Sequence, residues 1–463
     1  MLMRTLEGRA VLGERGVRAL VIVALLLAAA YLGMHATTTY LVALLAAGAG
    51  LVLLRKLELG FVALLVSALS LPFALGTGTQ TEVPLAFLLV PVLFAAWLLR
   101  TLGEKRLALA GARVTLPLAV FVASSLISFL SGNVPWNYFA TTAGLPAQLG
   151  GLAIFVFSAL LLFVTAHQIT DVRWLKILCA ILLCAGVVGI AIRVLPQADP
   201  LTSRLLVDRA TGSMFWVWVV ALAAGLALFN RDLAMRGRGL LLALALATLA
   251  AGWLFARAWT SGWVPPLVAL ITLVWLRSPR LGAVLTALGL VALNIQYPAL
   301  LGNLLELKAY SIDTRIVAWQ IMLENVIPLN PVLGLGPANY YFYTPLFPIL
   351  GYYISFNSHN QYVDIVAQTG LVGLAALGWL VLALARVGWT LRKRVGSGFA
   401  RGYVYACLAG LAGTLWAGMH GDWFLPFVYN IGIEGFRASL LPWLFLGGLL
   451  AIARMQPAAE ADA

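Results

Sequence analysis

Three side chains in this 463-residue sequence are suited to chemistry on a phosphate-linked substrate: Arg257, Arg315 and His359. A guanidinium grips phosphate oxygens bidentately, and an imidazole takes a proton from a hydroxyl near neutral pH. Arg315 stands in Asp313-Thr-Arg315-Ile-Val-Ala-Trp319, with Ser311 before it as an N-cap and Ile316, Trp319, Leu323 and Val326 spaced for one helix face. Pro328 stops that helix. Arg315 then falls in a first turn, where free N–H groups and the helix dipole attract anions. Pairing with Asp313 or Glu306 is the plain alternative. His359 lies in Ser358-His359-Asn360-Gln361, which reads as an S-x-x-Q capping box with His359 in the first turn of the next helix. A helix N-terminus disfavours imidazolium, so the ring should be a neutral base. Gly334 and Gly336, between Pro331 and Pro337, permit close backbone approach and equally describe a simple turn.

The elements that position these residues are membrane helices. Hydrophobic residues make up 62% of the chain and charged residues 10%, too little polar surface for a soluble globule. Apolar runs predict spans near Val17–Met34, Thr39–Leu54, Leu59–Leu75, Val83–Leu99, Val114–Leu130, Gln148–His167 and Trp174–Leu195. Further runs lie near Ser213–Phe229, Gly239–Phe255, Gly262–Leu276, Leu281–Gln296, Gln361–Ala385, Gly402–Met419 and Ala438–Ala453. The fold class is all-α and polytopic, with about 12–14 transmembrane helices. Residues 1–297 form an N-terminal transmembrane bundle, 298–360 a loop subdomain outside the membrane, and 361–463 the C-terminal helices. The basic start and apolar run of residues 1–33 read as an uncleaved first helix.

With both termini inside, the basic residues that fall outside are Arg193, Arg204, Arg209, Arg257, Lys308, Arg315 and Arg437. The rest of the 30 Lys and Arg follow the positive-inside rule, so the net charge of +13 reports topology and not nucleic-acid binding. Arg193 and Arg437 are expected to snorkel to the interface. Arg204 and Arg209 share a loop where lipid headgroup and substrate contact are equally open. His420 precedes Gly421-Asp422 on the outer side and could line the same cavity as His359. Outer acids, Asp364 and Asp422 among them, are singletons, so no metal site is expected. Cys179, Cys184 and Cys407 lie inside predicted helices and imply no disulfide framework.

The order of Asp313–Trp319, Pro331–Tyr340, Ser358-His359-Asn360-Gln361 and Gln368-Thr-Gly370-Leu-Val-Gly373 resembles the O-antigen ligase and O-antigen polymerase family. The resemblance covers about Ala251 to Gly373. It implies a GT-C-like glycosyltransferase of the bacterial inner membrane, with a helical periplasmic loop subdomain over the active site. The donor would be a glycan on undecaprenyl diphosphate and the acceptor a lipid A–core sugar hydroxyl. His359 would be the base in an inverting, metal-independent transfer without cofactor, with Arg257 and Arg315 on the diphosphate. Arg204, Arg209, Asn360, Gly334, Gly336 and His420 would be substrate contacts. At Arg257 the family tends to Ser-Arg-Gly or Ser-Arg-Ala, whereas this chain has Ala256; an interfacial anchor beside Trp253 and Trp259 is the alternative. Among relatives, the ligase is favoured over the polymerase and over a protein O-oligosaccharyltransferase. A lipid or sugar transporter is disfavoured, because nearly all charge sits at helix ends.

Overall fold

The computed structural model describes residues 56–76, 82–104, 112–195, 205–289, 291 and 314–456. They form helices α1 Leu57–Ser70, α2 Leu85–Gly103, α3 Ala112–Ser131, α4 Leu145–Gln168, α5 Val172–Val194 and α6 Ser213–Phe229. After these come α7 Met235–Phe255, α8 Val264–Arg277, α9 Gln361–Arg394, α10 Phe399–Gly418 and α11 Phe436–Met455. Two short antiparallel strands, β1 Ala74–Gly76 and β2 Glu82–Pro84, pair Leu75 with Val83. Among the described residues, eight helices are long and apolar enough to cross a membrane, and the shorter α1 and α6 are apolar as well. This fits the bilayer's demand that a spanning backbone satisfy its own hydrogen bonds. The first two predicted spans lie outside the described residues. The predicted span Leu281–Gln296 is helical as far as it is described.

The centre of the bundle is α6. It is apolar on every side and almost entirely buried, packed among α5, α7, α8, α10 and α11. Small residues let α10 approach it closely: a Cβ on Gly225 would come within 2.7 Å of Ala406, and one on Gly410 within 2.9 Å of the Trp218 ring. Helix α11 is buried along its length and packs on α4.

Arg437, at the start of α11, corrects an expectation. It does not snorkel but is fully buried. Its Nη1 donates to the carbonyls of Ser67 (3.0 Å) and Leu71 (2.7 Å), and its Nη2 to that of Phe73 (3.2 Å). The guanidinium thus binds carbonyls in the last turn of α1 and in the chain just after it.

The chain between the eighth and ninth helices builds a second, smaller core. Ala318, Met322, Val326, Leu335, Tyr340 and Tyr343 pack with Val366 and Ala367 of α9 and with Phe427. The helical residues 314–321 pass into a π-helical turn Met322–Val326 and a 3-10 turn Ile327–Leu329 that contains Pro328. Their buried face is Ala318, Met322 and Val326; Ile316 and Leu323, expected on it, are exposed. The π turn rotates the later residues relative to an ideal helix, which the spacing could not announce.

Candidate active site

The start of α9 fixes His359. Asn360 is the N-cap, and its side chain accepts from the N–H groups of Tyr362 (3.0 Å) and Val363 (3.4 Å). The expected capping box does not form. Ser358 Oγ accepts from the Asn360 N–H (3.0 Å) and donates to Asp364 Oδ1 (2.7 Å). Gln361 turns away to the loop after α10, donating to the Leu425 carbonyl (2.9 Å) and accepting from the Leu425 N–H (3.0 Å). His359 therefore precedes the helix and takes a left-handed backbone, φ 49°. Such a conformation costs a non-glycine residue about 1–3 kcal/mol and persists only where neighbours enforce it.

Asp364 is the chief enforcer. It is fully buried, its Oδ1 also accepts from the Tyr340 hydroxyl, and its Oδ2 has no hydrogen-bond partner. Burial first, and then the carboxylates of Asp364 and Asp422, raise Tyr340 well above its ordinary range. The two acids read as singletons in sequence are thus brought to one tyrosine. Asp422, also fully buried, accepts from the Phe427 N–H (2.6 Å) and the Asn430 side chain (2.5 Å); burial pushes its carboxyl up to about 6.

The loop Pro331–Pro337 is docked on α9 where that helix breaks. Gly370 has φ 68° and ψ −176°, so α9 is two helical pieces. A Cβ there would meet the Val332 carbonyl oxygen at 2.1 Å, so only glycine fits. The N–H groups of Leu335 and Gly336 donate to the Ala367 (2.9 Å) and Gln368 (3.0 Å) carbonyls, and the Leu371 N–H donates to the Pro331 carbonyl (2.9 Å). Gly334 lies so near this break that a Cβ would sit 2.5 Å from Gln368 backbone atoms. Asn339 Nδ2 ties the same loop to the end of α3 through the Gly132 carbonyl (2.9 Å).

These contacts place Arg315 and His359 on one cavity of about 410 Å³, with Asn357, Tyr341, Tyr429 and Asn430 also on its wall. Burial lowers His359 below its ordinary value of 6.5, and the Arg315 charge lowers it further. His420 is lowered by the same two causes, so Arg315 acts on both rings. Burial also lowers Arg315, which makes no hydrogen bond or ion pair among the described residues. A neutral imidazole beside a guanidinium can take a proton while the cation holds an anion.

The other expected site residues are dispersed. Arg257, just after α7, is exposed, lies over the Trp253 ring at 4.2 Å and does not line this cavity. Arg209 lines a different cavity, and Arg204 lies outside the described residues. Gly334 and Gly336 serve loop docking, and Asn360 serves as the cap. Among the described residues no group of three or more His, Cys, Asp or Glu is arranged to hold a metal ion. Sequence reasoning did not find Tyr340, Tyr429, Asn430 or the role of Asp364. An acid in the first turn of an apolar helix was the available signal for the last.

Residues 218–378 match the family described as O-antigen ligase, a segment that runs from α6 into α9 and holds Arg257, Arg315 and His359. No curated protein matches the chain. The apolar helices support a multi-pass membrane protein, and the match supports a ligase- or polymerase-type role. The segment that carries the candidate base and cation is thus similar to the O-antigen ligase family.

Proposed function

We propose that the protein transfers an O-antigen glycan from undecaprenyl diphosphate to a sugar hydroxyl of lipid A–core, at the periplasmic face of the bacterial inner membrane. The observation that carries this reading is the shared cavity of Arg315 and His359. The acceptor hydroxyl gives its proton to the His359 imidazole as its oxygen attacks the anomeric carbon. The bond from that carbon to the diphosphate oxygen breaks, and the electron pair leaves with undecaprenyl diphosphate. One displacement inverts the carbon. Arg315 offsets the charge that grows on the leaving group.

Arg257 is the second proposed contact to the diphosphate. An exposed cation–π pair is worth about 0.5–1 kcal/mol, so leaving the Trp253 ring for a diphosphate costs little. Asn430, Tyr341 and Tyr429 offer polar and aromatic surface to sugar rings on the same wall. Both termini are cytoplasmic in this reading.

The test is glycolipid analysis of a strain whose only copy carries His359→Ala. Uncapped lipid A–core with accumulated lipid-linked polymer is the expected result. Core bearing a single repeat would assign polymerisation instead, and normal glycolipid with altered protein glycans would assign a protein acceptor.

A further inference from the structure

A second cavity, of about 710 Å³, lies across the loop after α10 from the first. Tyr429 and Asn430 face the His359 cavity, while Trp423 and Ile431 of the same loop face this one. Its notable group is Arg193, in the last turn of α5. The sequence suggested a snorkelling side chain, but the guanidinium carbon sits 3.7 Å from the centre of the Trp216 ring and 5.3 Å from that of Trp259. Nη1 is buried without a hydrogen-bond partner, and the side chain has no ion pair among the described residues. A desolvated cation without counter-charge is costly, and the two indole faces offset only part of that cost. Arg209 adds a second positive charge at the rim, 60% exposed and only 3.8 Å from Glu434. Among the described residues the one carboxylate on the wall is Asp208, which is exposed, and Glu434 pairs with Arg209 from outside the wall. The cation without an ion pair among the described residues is Arg193.

The level of the cavity identifies the anion. Arg193 ends α5, Trp216 begins α6, and Trp259 follows α7. Tryptophan and arginine at helix ends mark the membrane–water interface, where lipid phosphates lie. We propose that this cavity is a second anion site, separate from that of Arg315 and His359, which takes the phosphate headgroup of a lipid between Arg193 and Arg209. Arg193 and Arg209 both lie outside the matched residues 218–378, so the site is not one that the family match assigns.

Native mass spectrometry of the full chain in detergent tests this with three probes: short-chain polyprenyl diphosphate, dilauroyl phosphatidic acid and uncharged dilauroylglycerol. At least one phosphate lipid should bind the wild type, and Arg193→Gln and Arg209→Gln should each weaken it about tenfold, as expected for loss of a charge-assisted contact. Dilauroylglycerol should bind all three proteins alike. Weakening confined to the diphosphate identifies the donor lipid as occupant; weakening confined to phosphatidic acid identifies a membrane phosphate. Binding should survive Arg315→Ala, which separates this site from the proposed catalytic one whatever that one does. Arg209 is exposed, so its variant carries the test should Arg193→Gln fold poorly. The proposal is overturned if wild type binds neither phosphate lipid, if both glutamine variants bind like wild type, or if Arg315→Ala alone removes all binding.

Discussion

Trp319 Nε1 donates to the Ser358 carbonyl at 2.7 Å, tying the helix that carries Arg315 to the residue just before His359. The two residues are far apart in sequence, and this bond fixes how the candidate cation faces the candidate base. Trp319→Phe keeps an aromatic ring and removes the donor. Turnover of purified protein should fall roughly tenfold with near-normal thermal stability, since small misplacement of reacting groups is costly while one hydrogen bond contributes only about 1 kcal/mol. Unchanged turnover would show that the tie does not position the site.

His359→Ala should lower transfer by about 10²–10⁴-fold, the range for a positioned general base. The pH profile gives an independent check. Burial and Arg315 lower His359, so the ring stays neutral, and the enzyme active, to a pH below 6.5. Arg315→Gln removes a positive charge, which makes the ring easier to protonate and should move the acid limb of kcat/KM to higher pH. A limb that stays in place would mean that the titrating base is another group.

Arg315 and Arg257 should separate in a transfer assay. Arg315 lines the cavity of His359, whereas Arg257 must leave Trp253 to reach a substrate. Arg315→Ala should therefore cost more turnover than Arg257→Ala, and Lys should rescue Arg315 only in part, because a point charge lacks the bidentate fork. Equal losses at the two positions would place Arg257 as close to the leaving group as Arg315.

Asp422 should make stability depend on pH in an unusual direction. Its carboxyl rises from 3.8 to about 6 on burial, so between those values the folded state holds the proton more tightly than the unfolded state. Its contribution is most favourable below about pH 4, declines as pH rises toward 6 and levels off above it. Asp422→Asn retains an acceptor for the Phe427 N–H and cannot titrate. Thermal melts from pH 4 to 7 should show the variant gaining on wild type as pH rises; parallel curves would mean that Asp422 stays ionised throughout.

The bundle was legible because hydrocarbon allows few solutions: apolar runs and basic ends located the described spans to within a few residues at most ends. His359 and Arg315 were legible as a pair only through the ordered motifs that resemble the family. What remained hidden depends on contacts distant in sequence. Nothing local distinguishes Arg437, which caps α1, from an arginine at the interface. Asp364 reads as an isolated acid until Tyr340 and Ser358 close on it. The capping box was misread because Asn360, two residues later than Ser358, competes equally well for the cap, and Gln361 has better partners at Leu425.

Gly370 makes α9 a ruler with an adjustable zero. Below the break the helix is registered to the bundle; above it, the piece carrying Asp364 and ending at His359 is registered to the Pro331–Pro337 loop. Where the cavity sits relative to the bilayer thus depends on the break and not on the length of α9. One residue added between Asp364 and Gly370 would turn Asp364 by about 100° out of line with Tyr340. An extra full turn below the break would raise the whole site by about 5 Å with its geometry intact. Relatives in membranes of different thickness could therefore change α9 without redesigning the chemistry. Transfer by chains with each insertion would check this, with activity expected to survive only the second.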